Sequence, residues 1–240
     1  MTPPKITVQL KTAKLAILAS LADAEISALL AAHRYPAWKL REGEDVYQAA
    51  LEAVEQQRSA VEAQQLAFRL SVVMEHGARD AYQTLAAVAR AIYTKDEQRL
   101  SEMHLADPSP EETAAFITTA SILFEEARRI PDLVNFGYDE RRLEDEREKI
   151  AAFYVASQRH EAAKGVTQRA TAEMEAALRA LDDWTTEYFD CARVALRGKK
   201  RLLQKIGLAS PTTAAAKKGH ALPTAESRGR RSIAGRPPKK

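Results

Sequence analysis

Thirteen residues recur at alternating steps of three and four: Phe153, Ala156, His160, Ala163, Thr167, Ala170, Met174, Ala177, Leu181, Trp184, Tyr188, Cys191 and Ala195. That spacing places them on one stripe of a single helix. Moving back 103 positions gives a second stripe: Ala50, Ala53, Gln57, Ala60, Gln64, Ala67, Ser71, Met74, Ala78, Ala81, Leu85, Val88 and Ile92. The correspondence continues at the element ends, where Leu30 meets Leu133, Tyr35 meets Tyr138, Leu40 meets Leu143, Arg90 meets Arg193, Leu100 meets Leu203, Leu105 meets Leu208 and Pro108 meets Pro211. A shared, ungapped offset of this kind marks an internal repeat.

The repeat predicts an all-α, elongated helical bundle or coiled coil. It has two tandem short–long–short units, residues 1–108 and 109–210, followed by a disordered basic tail, 211–240. The first unit reads as a helix over 12–32 after a fraying start, a break at Tyr35-Pro36, a long helix over 37–94 and a short one over 96–105. Leu15, Leu18, Ala22, Ile26 and Leu29 are expected to share the buried face of the first helix. Lys11 and Lys14 before an apolar run have the order of a short signal core, but an amphipathic first helix accounts for that run better. The second unit opens on Ser109-Pro110-Glu111-Glu112, with Ser109 as N-cap, Pro110 in the first turn and Glu112 closing a capping box. That helix is expected to run to Ile130. After a turn at Gly137, Asp139 caps a long helix over 140–197, and a short helix covers 199–206. Gly77 and Gly165 inside the long helices mark expected kinks or close contacts. The direction of the long helices relative to each other is left open.

Much of the 45% apolar content is alanine, with only 6% aromatic residues, so a thin, close-packed core is expected. The single cysteine, Cys191, excludes an internal disulfide and fits a reducing, cytoplasmic setting. No apolar run reaches the length that spans a bilayer. The five histidines show no i, i+4 metal pair, and there is no P-loop, GxGxxG or Gly-x-Ser-x-Gly. Gln57, Gln64, Ser71, His160 and Thr167 form no recognisable reaction set and read as register-fixing polar layers. No catalytic residue, metal, cofactor or small-molecule substrate is therefore expected.

The charge is uneven. Residues 193–240 hold 14 Lys or Arg and one acid, Glu226, for +13, and the remainder carries −10, which together give the net +3. The basic set is Arg193, Arg197, Lys199, Lys200, Arg201, Lys205, Lys217, Lys218, Arg228, Arg230, Arg231, Arg236, Lys239 and Lys240. Arms of this composition bind nucleic acid by neutralising phosphates and releasing counterions. Within it, Gly235-Arg236-Pro237-Pro238-Lys239-Lys240 resembles the core of an AT-hook, a motif that lies in the minor groove of A·T-rich DNA. Ala234 stands where that family prefers arginine, so the resemblance is to an incomplete hook.

The expected function is a non-enzymatic scaffold whose basic C-terminal arm binds nucleic acid, DNA without sequence preference being the first expectation. The alternative is a protein–protein adaptor with a solubilising tail. A third class, a ligand carrier or enzyme built on the polar layers, would have to use His160. A homodimer or another protein partner through the helix seams is expected, and no membrane.

Overall fold

The computed structural model describes residues 3–208. The elements are α1 (Pro3–Ala22), α2 (Ala24–Ala32), α3 (Ala37–Ile92), α4 (Glu97–Glu102), α5 (Thr113–Ala127), a 3-10 segment (Pro131–Phe136), α6 (Glu140–Ala195) and α7 (Lys200–Lys205). The described residues are all-α. The bounds of α6 are those of α3 moved by 103, and the bounds of α7 are those of α4 moved by the same amount. At 1.5 Å per residue the 56-residue helices α3 and α6 are each about 84 Å long.

Local structure repeats with the bounds. Tyr35 N–H donates to Leu30 O at 2.9 Å, and Tyr138 N–H to Leu133 O at 3.1 Å. Leu105 N–H donates to Leu100 O at 2.8 Å, and Leu208 N–H to Leu203 O at 2.9 Å. Lys39 Nζ sits 5.2 Å from the centre of the Tyr35 ring, and the Arg142 guanidinium 4.2 Å from that of Tyr138. Asp139 caps α6 by accepting from Arg142 N–H, as its sequence position predicts.

The long helices run antiparallel. Lys39 faces Glu187, Gly43 faces Trp184, Ala60 faces Thr167 and Phe68 faces His160, so facing residue numbers add to 226–228. With a repeat offset of 103, facing pairs map onto facing pairs. The two copies are therefore related by a pseudo-two-fold axis normal to the helix pair, near Glu62 and Gly165.

This symmetry mixes the copies at both ends. One end core joins Ile17, Leu30, Tyr35 and Leu40 of the first copy to Tyr188, Ala192, Leu196, Leu202 and Ile206 of the second. The other joins Leu85, Ala89 and Met103 of the first copy to Phe116, Phe124, Leu133, Tyr138 and Phe153 of the second. Each end takes the close of one long helix and the opening elements of the other copy, so neither copy encloses a core from its own residues. Between them the seams meet through alanine. Thr167 Oγ1 lies 3.1 Å from Ala60 O across the seam and 3.0 Å from Ala163 O in its own helix, which ties one polar layer to the register. The seams face each other within one chain.

Several sequence expectations need correction. The first helix is two: it breaks at Asp23, whose carboxylate caps α2 through Glu25 and Ile26 N–H, and α1 and α2 meet at 95°. The break rotates the buried face. Ala13, Ala16, Ile17 and Ser20 are buried, whereas Leu15 and Leu18 are 49% and 50% exposed. Residues from Pro3 onward are helical rather than frayed. Ser109 does not cap α5. Residues 108–112 stay non-helical, and the carboxylate of Glu112 accepts from Ala114 and Ala115 N–H instead. α5 ends at Ala127, short of Ile130. A Cβ at Gly77 or Gly165 would meet nothing within 4 Å, so neither marks a close contact within the chain. The close contact is at Gly43, where a Cβ would lie 2.0 Å from Trp184 Cζ2. The equivalent positions, Glu146 and Ala81, reverse the size relation. Among the described residues no single helix is long and apolar enough to cross a membrane. The expected disordered tail, 211–240, lies outside the described residues.

Candidate nucleic-acid interface at the end of α6 and α7

The basic residues within the described structure gather where α6 stops. Arg193 is in its last turn, and Gly198, at φ +82°, reverses the chain. α7 then folds back so that Leu202 and Ile206 enter the end core beside α1 and α2. Packing of these two apolar residues turns the remaining face of α7 outward.

Two lysines, one in α7 and one at its N-cap, are occupied. Lys205 Nζ donates to Asp23 Oδ2 at 2.6 Å, and Lys199 Nζ pairs with Glu25. Asp23 thus serves twice, with one oxygen capping α2 and the other holding α7. The Lys205 hydrogen bond, followed by the Ile26 N–H, holds its carboxyl below the usual carboxylate range. Arg193 pairs with Asp190 at 2.6 Å. Arg197, Lys200 and Arg201 are exposed and form no ion pair among the described residues. Lys217, Lys218, Arg228, Arg230, Arg231, Arg236, Lys239 and Lys240, with the AT-hook-like segment, lie outside the described residues. Asp23 and Glu25 were not legible as partners, because they precede Lys205 and Lys199 by 182 and 174 positions and share no local motif with them.

The pseudo-symmetry supplies an internal control. Positions 96–102 hold Asp96, Glu97, Arg99 and Glu102, a net −2, whereas 199–205 hold Lys199, Lys200, Arg201 and Lys205, a net +4. Asp96 caps α4 by accepting from Arg99 N–H, but Lys199, in its place, provides no side-chain cap. The equivalent short helix has reversed its charge and lost its cap, and where α7 buries Leu202 the equivalent Arg99 of α4 stays partly exposed. Arg197, Lys200 and Arg201 therefore have no ion-pairing role in the fold among the described residues.

The other candidate groups are accounted for by packing. The Cys191 thiol lies 3.6 Å from the His33 carbonyl, and burial pushes its pKa up, which disfavours the nucleophilic thiolate. The His160 ring packs against Phe68 with centroids 5.3 Å apart. No family model, curated protein or solved structure matches this chain.

Proposed function

We propose that this protein is a non-enzymatic helical scaffold whose basic C-terminal end, from Arg193 onward, binds nucleic acid through its phosphates. The observation that carries the reading is the charge reversal between α4 and α7 on a common backbone. Six cations of the folded end, three of them outside ion pairs, adjoin a segment whose charge brings the total over 193–240 to +13. Arg197, Lys200 and Arg201, outside ion pairs among the described residues and next to a strongly basic segment on a chain whose remainder carries −10, favour a polyanionic partner. The shortness of α7, six residues, favours backbone contacts without sequence preference.

The test is a titration of duplex DNA and RNA across ionic strength, with the full chain and with a chain lacking 211–240. Expected is binding that falls steeply with salt for the full chain, and a weaker, flatter dependence for the shortened one. Absence of salt-sensitive binding by the full chain at low ionic strength would overturn the reading. Capture of the same protein partners with and without 211–240 would instead support the adaptor.

A further inference from the structure

α1 and α5 lie on the same face of the α3–α6 pair. On the α5 side that face carries Tyr154 and Ser157, which line a cleft with Thr113 and Ile117. Among the described residues the opposite face is bare. Leu70, Met74, Ala152, Val155 and Arg159 line a groove there, to which α3 and α6 alone contribute among the described residues. Leu66 and Val73 extend the apolar surface at 63% exposure each, beside Leu70 at 40% and Val155 at 45%.

The repeat shows that the fold does not need this surface. The equivalents of Leu66, Leu70, Val73 and Val155 are Arg169, Glu173, Ala176 and Glu52. One half of the bare face is polar and the other apolar, on the same backbone. Contiguous exposed apolar surface on an otherwise charged body marks a contact site.

Charge placement selects the occupant. Glu148, Ala152, Val155 and Arg159 follow one another at steps of four, three and four, so they form one stripe with an acid at one end and a base at the other. Both charged residues are exposed and neither forms an ion pair among the described residues. Neighbouring α6 charges on other faces are paired within the helix: Glu144 with Arg147, Glu146 with Lys149, and Glu161 with Lys164. The stripe is complementary to itself when reversed. A two-fold axis crossing α6 between Phe153 and Tyr154 places Glu148 opposite Arg159 of a second copy, and Ala152 opposite Val155. From the facing register of the long helices, the same axis crosses α3 between Val73 and Met74. It therefore brings Leu70 opposite Gly77 of the second copy. Gly77, like Gly165, has open space where a Cβ would be. On this face the space at Gly77 leaves room for the close approach of another helix.

We propose that this bare face binds a second copy of the chain, closing a four-helix layer about a two-fold axis with α6 against α6 and α3 against α3, each antiparallel. The contact is separate from the basic end and requires no nucleic acid.

Sedimentation equilibrium of the full chain without nucleic acid tests it. The expected mass is twice the chain mass of 26.6 kDa. Val155→Glu, the residue that the other copy already carries as Glu52, should return the monomer with unchanged helical circular dichroism. Glu148→Arg and Arg159→Glu should each weaken association by about tenfold or more, through like charges set opposite one another, and the double exchange should restore it. A mass of one chain at roughly 100 μM, where even weak specific dimers form, would overturn the proposal. So would a Val155→Glu chain that stays dimeric, or a double exchange no tighter than the single ones.

Discussion

The repeat predicts that two residues can be exchanged for glycine with a gain in stability. Arg34 and His104 hold left-handed backbone angles, φ +64° and +55°. Their equivalents 103 positions on are Gly137 and Gly207, at φ +78° and +85°. The turns are the same ones: Arg34 N–H donates to Ala31 O at 3.2 Å and Gly137 N–H to Val134 O at 3.0 Å. A side-chain-bearing residue in this conformation costs about 1–2 kcal/mol. Glycine in the unfolded chain loses about 0.4–1 kcal/mol of that advantage through its greater freedom. Both side chains are exposed and take part in no side-chain hydrogen bond or ion pair among the described residues, so their removal forfeits none there. Arg34→Gly and His104→Gly should therefore each stabilise by about 0.5–1 kcal/mol, raising the melting temperature by about 1–4 °C per site. Denaturant unfolding checks this, with the m-value unchanged. Destabilisation by both exchanges would refute the equivalence of the two turns.

Other consequences follow from single contacts. Gly43→Ala should destabilise by about 1–2 kcal/mol, since overpacking against Trp184 outweighs the gain in helix propensity, whereas Gly165→Ala, in open space, should stabilise by about 0.8–1 kcal/mol. Both are read from denaturation midpoints. Tyr188 and Ser20 hydroxyls bond at 2.6 Å in the core, so Tyr188→Phe should cost about 1–2 kcal/mol; Tyr138 has a buried hydroxyl without a partner, so Tyr138→Phe should be neutral or stabilising by up to about 1 kcal/mol. Asp23, whose folded-state pKa is depressed, contributes stability that is present above the ordinary value of 3.8 and is lost as pH falls through the folded value. Docking of α7 should therefore loosen in acid, seen as faster amide exchange in α7. At the alkaline side burial pushes Tyr188 up to about 12, so its contribution is present below the ordinary 10.0 and is lost as pH rises towards the folded value. Melting temperatures measured from pH 8 upward should fall above about pH 10.

The elements most legible in the sequence were those governed by periodicity. The seams, the bounds of α3 and α6 and the Asp139 cap all follow from local spacing and side-chain chemistry. What escaped was set by tertiary competition. Asp23 competes for helix-cap duty inside an apolar run, which broke the first helix and turned Leu15 and Leu18 outward. Glu112 took the cap from Ser109 by the same kind of local choice. Helix direction was not written in either seam, because a stripe of alanines looks alike from both ends. It became visible only in long-range pairs such as Gly43 with Trp184. At the basic end the sequence located the cations but not the division of labour among them. Lys199 is held by Glu25 and Lys205 by Asp23, while Arg197, Lys200 and Arg201 are left outward.

That division leads to the most direct measurement. The dependence of DNA affinity on salt should be compared for the full chain and for a chain carrying Arg197→Gln, Lys200→Gln and Arg201→Gln, none of which touches the α7 ion pairs. If the folded end contacts phosphates, the slope of log affinity against log salt should shrink by about 2–3, with the melting temperature unchanged. An unchanged slope would contradict the assignment of these three residues to a nucleic-acid surface.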